Sequence, residues 1–202
     1  MVRLQDVATV TQGAFLSRVE TNPENKGAQV VNLYTMKEMN ESLGLDYRGD
    51  NDRVTAIPIE VARLSKLKLA SEKMVVVNLI SNKAVAIQKE HTGLLIPSNF
   101  VVIEWKEHFS PLYFEWYFNE HPTCRKQLLI ARQGTSISAL SIQMLRELEI
   151  VMPPVDKQEL IGKMYKGLKK KQALQMEYKQ LEEQFMNYTI IKAIGDTNND
   201  NK

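Results

Sequence analysis

Leu148-Glu149-Ile150-Val151-Met152-Pro153-Pro154-Val155-Asp156-Lys157-Gln158-Glu159 divides this 202-residue chain into two unlike parts. Up to Met152 the stretch reads as a closing strand. The paired prolines then remove two backbone donors and fix the chain direction, which stops a sheet. Asp156 and Glu159 stand at capping-box spacing, so a helix is expected to begin there. From that point to about Lys192 there is no proline. At about 1.5 Å per residue the helix would be on the order of 55 Å long, more than one small domain needs. Its apolar positions are Ile161, Met164, Leu168, Leu174, Tyr178, Leu181, Phe185 and Tyr188. Steps of three and four predict a coiled-coil seam, the alternative being a helix that packs back on its own domain. One six-residue step encloses Lys169, Lys170 and Lys171, which would overwind a supercoil locally or leave a basic waist.

The residues before the prolines alternate short apolar runs with turn signals. Candidate strands are Gln29 to Tyr34, Met74 to Asn78, Ala84 to Gln88 and Phe100 to Trp105, each rich in Val or Ile. Asn78 to Lys83 reads as a polar turn joining two of them into an antiparallel pair. Ser110-Pro111 has the order of an N-cap and a first-turn proline, and Leu112, Tyr113, Trp116 and Tyr117 follow at helical spacing. These aromatics are read as core rather than as a base-stacking platform. A second short helix is expected from Pro122 through Ile130. The fold class is therefore α+β: a mixed domain over 1–152, a long helix over 153–192, and a loose tail over 193–202.

Composition is that of an ordinary globular protein, with 44% hydrophobic and 25% charged residues. The single cysteine, Cys124, excludes an intramolecular disulfide and reads as a small buried hydrophobe in a reducing, cytoplasmic setting. No run approaches the roughly 20 apolar residues of a membrane span. A net charge of +2 does not announce a nucleic-acid binder, but its distribution is uneven. Ala62 to His91 holds six cations against two anions, and Met36 to Glu60 holds six acids against three bases. That polarity would orient a duplex or a partner, or be simply a solvated surface.

Catalytic motifs are missing. The chain has no Gly-rich phosphate loop, nucleophile elbow, zinc-ligand pair or metal-binding histidine pair, and His91, His108 and His121 are scattered. Glu104-Trp105-Lys106 has the acid-x-lysine order of a metal-dependent nuclease strand. Convergent carboxylates are needed to hold the ion, and no upstream partner is evident. Asn22-Pro23-Glu24-Asn25 has the wrong residues for a base-clamping methyltransferase loop. No catalytic residue, metal site or cofactor is expected.

One segment is distinctive. Ala131-Arg132-Gln133-Gly134-Thr135-Ser136-Ile137-Ser138-Ala139-Leu140-Ser141 leads into a short helix, the apolar strand, Pro153-Pro154, and Gln158 followed by Ile161. This order resembles the specificity subunits of type I restriction-modification enzymes, whose target-recognition domains close in the same way. Leu4-x-Asp6-Val7-Ala8-x-Val10-x-x-Gly13 is similar to the family's amino-terminal turn, and Pro97-Ser98-Asn99-Phe100 to its mid-domain pattern. Such proteins commonly carry two recognition domains, whereas one is evident here, so the chain looks like half of one.

The resemblance implies a non-catalytic reader of double-stranded DNA that docks modification (methyltransferase) and restriction subunits and pairs its long helix with another such helix; one recognition domain joined to so long a seam predicts that the partner is a second copy, a homodimer. Phosphate contacts would set register, and Arg, Asn, Gln, Ser or Thr on loops would read base edges in the major groove. Candidate contacts are Gln12, Arg18, Asn82, Lys83, Arg132, Gln133, Thr135 and Ser136, although Gly-Thr-Ser is equally a turn and capping device. The competing readings are a stand-alone dimeric DNA-binding regulator whose coiled coil serves dimerisation alone, and a scaffold that binds no nucleic acid.

Overall fold

The computed structural model describes residues 1–45, 54–132 and 140–197. Its elements run β1 (Val2–Arg3), α1 (Leu4–Val7), β2 (Ala8–Gln12), α2 (Leu16–Val19), β3 (Ala28–Asn32), α3 (Met36–Leu43), β4 (Ala56–Glu60) and α4 (Val61–Leu64). There follow β5 (Met74–Asn78), β6 (Lys83–Ala86), a 3-10 turn (Lys89–His91), β7 (Phe100–Trp105), α5 (Pro111–Glu120), α6 (Pro122–Arg132), α7 (Ile142–Glu147), β8 (Glu149–Ile150) and α8 (Val155–Thr197). The fold is α+β, as the alternation of Val-rich runs and helical patterns implies.

The centre is a four-stranded antiparallel sheet in the order β2-β7-β5-β6. Its middle strands are apolar on both faces, which is why Met74-Val75-Val76-Val77 reads as a continuous run rather than an alternating one. Val75, Val77, Val101 and Ile103 pack under Tyr113, Phe114, Tyr117 and Phe118 of α5. Val76, Val85, Phe100 and Val102 pack on the opposite side against Tyr34, Met39 and Ile96. Each such side chain, fully withdrawn from water, contributes roughly 1.5–3 kcal/mol before entropy is counted. The aromatics of α5 are core, as their spacing suggests. Ser110 caps that helix by accepting from Tyr113 N at 3.4 Å, with Pro111 in the first turn.

The β6 edge of the sheet is closed by side chains rather than by another strand. Asn119 of α5 accepts from Ala84 N at 3.0 Å and donates to Ala84 O at 2.8 Å, and Glu115 accepts from Ala86 N at 3.0 Å. An exposed edge would otherwise offer these groups to a foreign strand. A second ribbon, β3 paired with β4, carries its own small core of Val31, Leu33, Ile57, Ile59 and Leu95.

Several sequence expectations shift. The closing strand is two residues long, not five, because its partner β1 is equally short. Side chains serve the backbone where strand partners stop: Gln127 both donates to Glu149 O and accepts from Glu149 N at 2.9 Å, and Tyr113 Oη donates to Val151 O. No capping box forms at Asp156 and Glu159. The helix begins two residues earlier than a cap at Asp156 implies, at Val155, with Pro154 O accepting from Lys157 N and Gln158 N, so Asp156 falls within the first turn. Glu159 instead pairs with Lys163 at 3.5 Å. The capping box of this chain lies at Thr35 and Glu38, where Thr35 N donates to Glu38 Oε2 at 2.7 Å. Finally, α8 continues through Thr197, past the expected end near Lys192, and residues 198–202 lie outside the described residues.

Candidate nucleic-acid interface

Strand register gathers several candidate contacts at one end of the central sheet. Gln12 ends β2 opposite Val101, Val101 faces Val77, and Val77 faces Ala84, so Gln12 shares a row with the base of the β5–β6 hairpin. Beyond that row the hairpin turns through Leu79, Ile80, Ser81 and Asn82. The turn is rigidly held: buried Asn78 accepts from Ile80 N at 3.0 Å and from Ser81 N at 2.8 Å through Oδ1, and its carbonyl accepts from Asn82 N. Asn82 sits at φ 55°, a left-handed value that Asn tolerates better than most residues. The tip thus presents Ser81, Asn82 and Lys83, with Ile80 70% exposed among them.

Leu140 N donates to Leu79 O at 2.9 Å, which ties Leu140 to the same hairpin. Gln133, Thr135 and Ser136 lie outside the described residues, as does the side chain of Arg132, whose backbone ends α6. Gln12 is half-buried and donates to Ser98 O at 2.8 Å, so its amide is already engaged. Gly13 follows it because the backbone there passes so close to the next loop that a Cβ would lie 2.2 Å from Pro97 O. Arg18 belongs elsewhere, on α2 beside the β3–β4 ribbon. Its guanidinium lies 4.7 Å from the centre of the Phe15 ring, and its carbonyl accepts from Arg63 Nη1 at 3.3 Å. Arg63 is therefore a second cation at that point, and sequence reasoning did not single it out.

The acid-x-lysine tripeptide is accounted for by structure. Glu104 pairs with Lys68, and Lys106 donates to the carbonyls of Gln5 and Asp6 at 3.0 Å each. Its position opposite Thr9 and Met74 sets Glu104 at the end of the sheet away from the hairpin tip. The histidines also have local roles. His91 is buried 3.5 Å from Glu41 Oε2 and edge-on to Tyr34, and His121 stacks on Tyr117 and accepts from Thr123 N. Cys124 is fully buried, and burial pushes its thiol up to about 12.

The long helix has two faces with different duties. Gln158, Ile161, Gly162, Tyr165 and Lys169 face the domain. Gln158 is buried, accepting from Ser110 N and donating to Pro153 O. A Cβ on Gly162 would meet Leu112 Cβ at 2.7 Å, so α8 and α5 cross with their backbones almost touching. Lys169 pairs with Glu115 and donates to Ser42 O at 2.9 Å, tying α8 to α3, α5 and, through Glu115, the β6 edge. Glu115 is 1% exposed, and desolvation holds its carboxyl above the usual range in spite of the ammonium beside it.

Ile161, expected to start the seam, therefore packs against the chain's own core. Its neighbour Leu160 points away from the domain, 58% exposed. Met164, Leu168, Leu174, Tyr178, Leu181, Phe185 and Tyr188 are all at least half exposed. The first half of the helix docks on the domain, and an exposed apolar surface continues along the outside and down the remaining half.

The chain is thus a mixed sheet-and-helix head with a largely polar hairpin tip, joined to a long helix with an exposed apolar line. The family model for the type I restriction modification DNA specificity domain matches residues 1–184, and the chain belongs to that family. No curated protein matches it. Similar solved structures include a chain of a type I R-M system described for its complex assembly and conformational transition, with a TM-score of 0.61 and 15% identity. The match covers 94% of this chain and 47% of that one. The HsdS subunit from Thermoanaerobacter tengcongensis is similar with a TM-score of 0.54 and 14% identity over 89% of this chain and 39% of its own. The chain thus spans about half the length of these structures or less. Among the described residues no helix is long and apolar enough to cross a membrane.

Proposed function

We propose that this chain reads one half of a divided DNA target with the hairpin end of its central sheet and catalyses nothing itself. Two copies joined by antiparallel α8 helices would then present one head at each end of a paired rod. Modification and restriction subunits would dock on that assembly and bring the chemistry, in the cytoplasm. The observation that supports this most directly is the division of α8: one face is consumed by its own domain, and the other carries large exposed apolar side chains from Leu160 to Tyr188. In the head, Gln12, Asn82 and Lys83 lie at one end of the sheet, next to the chain that flanks Gln133, Thr135 and Ser136. Arg18 and Arg63, close together on the α2 side of the head, would meet phosphates.

Two-fold symmetry dictates the target. Identical heads in opposite senses require an inverted repeat interrupted by unread base pairs. Light scattering of the wild-type chain at tens of micromolar and of Leu181→Glu tests the pairing. A dimer that becomes a monomer on substitution, with loss of most DNA affinity because linked half-sites no longer reinforce one another, is the expected result. A monomeric wild type, or an asymmetric methylated target, would overturn self-pairing, and failure to co-purify with a methyltransferase would overturn the docking role.

A further inference from the structure

The turn between β5 and β6 carries two apolar residues that part company. Leu79 packs against the core shared with α5, whereas Ile80 stands 70% exposed. Among the described large apolar side chains before α8, only the terminal Met1 is more exposed. Turn positions favour Gly, Asn, Asp and Ser for conformational reasons that an isoleucine does not meet. The contact that holds Ile80 in place comes from its backbone, whose N–H donates to Asn78 Oδ1 at 3.0 Å. Any residue but proline supplies that group, so the turn has no use of its own for the isoleucine side chain.

The surroundings of Ile80 are polar and free of acid. Ser81, Asn82 and Lys83 follow it, and Leu79 N donates to Asn99 O at 3.2 Å, which sets the 97–99 loop alongside. Gln12 Nε2 donates to Ser98 O, so the end of β2 joins the same surface. Residues 12–14, 79–83 and 97–99 together carry one cation, Lys83, and no carboxylate. One apolar side chain in such a setting is too little for the core of a protein–protein contact, which needs a contiguous apolar patch. It suits a surface that is polar and anionic with small apolar islands. The major groove of DNA is such a surface: about 12 Å wide, it admits a two-stranded β-ribbon, and its apolar islands are the C5 methyl groups of thymine.

We propose that Ile80 reads a thymine: its branched side chain packs on the C5 methyl of one thymine in the major groove, beside the polar contacts of Ser81 and Lys83. The inference rests on the hairpin end being the reading face and adds what that face selects. Asn78 fixes the tip by accepting from Ile80 N and Ser81 N, and the φ of 55° at Asn82 completes the turn. The side chain is thus presented without a loop having to be ordered on binding. A methyl contact makes no hydrogen bond, so its discrimination is modest, about three- to tenfold in affinity for one buried methyl. The half-site then contains an A·T pair in a fixed orientation, because the methyl stands on one strand only.

The test uses the full-length chain and uracil, which lacks the C5 methyl but keeps thymine's hydrogen-bonding groups. A target is selected from random synthetic duplexes with the wild-type chain, and each thymine in it is then replaced singly by uracil. Fluorescence anisotropy at fixed salt should find one thymine per half-site whose replacement weakens wild-type binding about three- to tenfold. Ile80→Ser should bind the thymine and uracil duplexes equally, and Ile80→Val should keep most of the preference. Urea unfolding of both variants should match wild type, since the side chain is exposed. Synthetic duplexes hold no methylated cytosine, so the response identifies thymine as the source of the methyl. A selected site without an A·T pair, wild-type indifference to uracil at every position, or an undiminished uracil effect in Ile80→Ser would overturn the assignment. If Lys83→Ala weakens binding while any of these holds, the reading face stands and the Ile80 contact falls. If neither Lys83→Ala nor Ile80→Ser alters binding, both fall. Loss of methyltransferase-subunit binding by Ile80→Ser, with DNA titrations unchanged, would overturn the assignment by giving the tip to a protein partner.

Discussion

Replacing Lys169 with Met removes the cation from a joint in which Glu115 is 1% exposed and Lys169 14% exposed. Glu115 keeps the Ala86 N–H at 3.0 Å but loses its counter-charge. Stranding one member of a buried pair costs about 3–5 kcal/mol when the survivor stays ionised. The survivor can escape by taking a proton, and burial already holds this carboxyl above the usual range while Lys169 opposes that shift. Without Lys169 the folded value rises further. Between the unfolded and folded values the native state then holds a proton that the unfolded chain does not, so stability falls as pH rises, by about 1.4 kcal/mol per pH unit at most. Urea unfolding at about pH 5 and about pH 8 should show a small deficit against wild type in acid and the full deficit in base. Glu115→Gln/Lys169→Met should recover most of the loss, because the amide still accepts from Ala86 N–H and strands no charge. A deficit under about 1 kcal/mol at the higher pH, or one equal at both, would refute the view that this pair anchors the rod.

Gly162→Ala should cost about 1–3 kcal/mol by overpacking and loosen the first turns of α8, read as faster amide exchange there than in α5. Asn119→Ala leaves Ala84 N and O buried without partners and should cost about 2–5 kcal/mol in thermal or urea unfolding, a larger loss than any substitution at exposed Lys83. Lys83→Ala and Arg132→Ala should leave unfolding unchanged and weaken DNA binding. A lost phosphate contact should flatten the slope of log affinity on log salt by about one unit, and a lost base contact should cost about 1–3 kcal/mol with relaxed specificity. Unchanged titrations for both would show that the reading face lies elsewhere.

What sequence made legible follows from how many faces an element buries. β5 and β7 fall on their expected residues because both faces are covered and the Val-rich runs have no competing pattern. β4 escaped notice because Pro58 sits in it, which counts against a strand. The ribbon accepts it because, among the described residues, β3 is its only strand partner and Pro58 occurs on an edge, opposite Val30. β2 and α3 were also missed, the first within a motif read as a turn, the second in an acidic stretch whose Thr35-Glu38 cap was nonetheless visible. In the candidate interface, residue types pointed to Asn82 and Lys83, and only the strand register puts them at the same end of the sheet as Gln12. Asn119 and Glu115 went unremarked, and Arg63 counted only as one cation of the Ala62 to His91 run. For Glu115 a signal existed, a carboxylate inside an aromatic helix, but its meaning depends on Lys169, 54 positions away.

The side-chain closure of the β6 edge has a consequence for how such a reader can change. Because Asn119 and Glu115 hold the hairpin stem from the flank, and Asn78 holds the turn from beneath, the fold places few demands on Ile80, Ser81 and Lys83. Under the proposed reading face, mutational drift at those positions would alter which bases are recognised without drawing on the stability of the domain, one tip residue at a time.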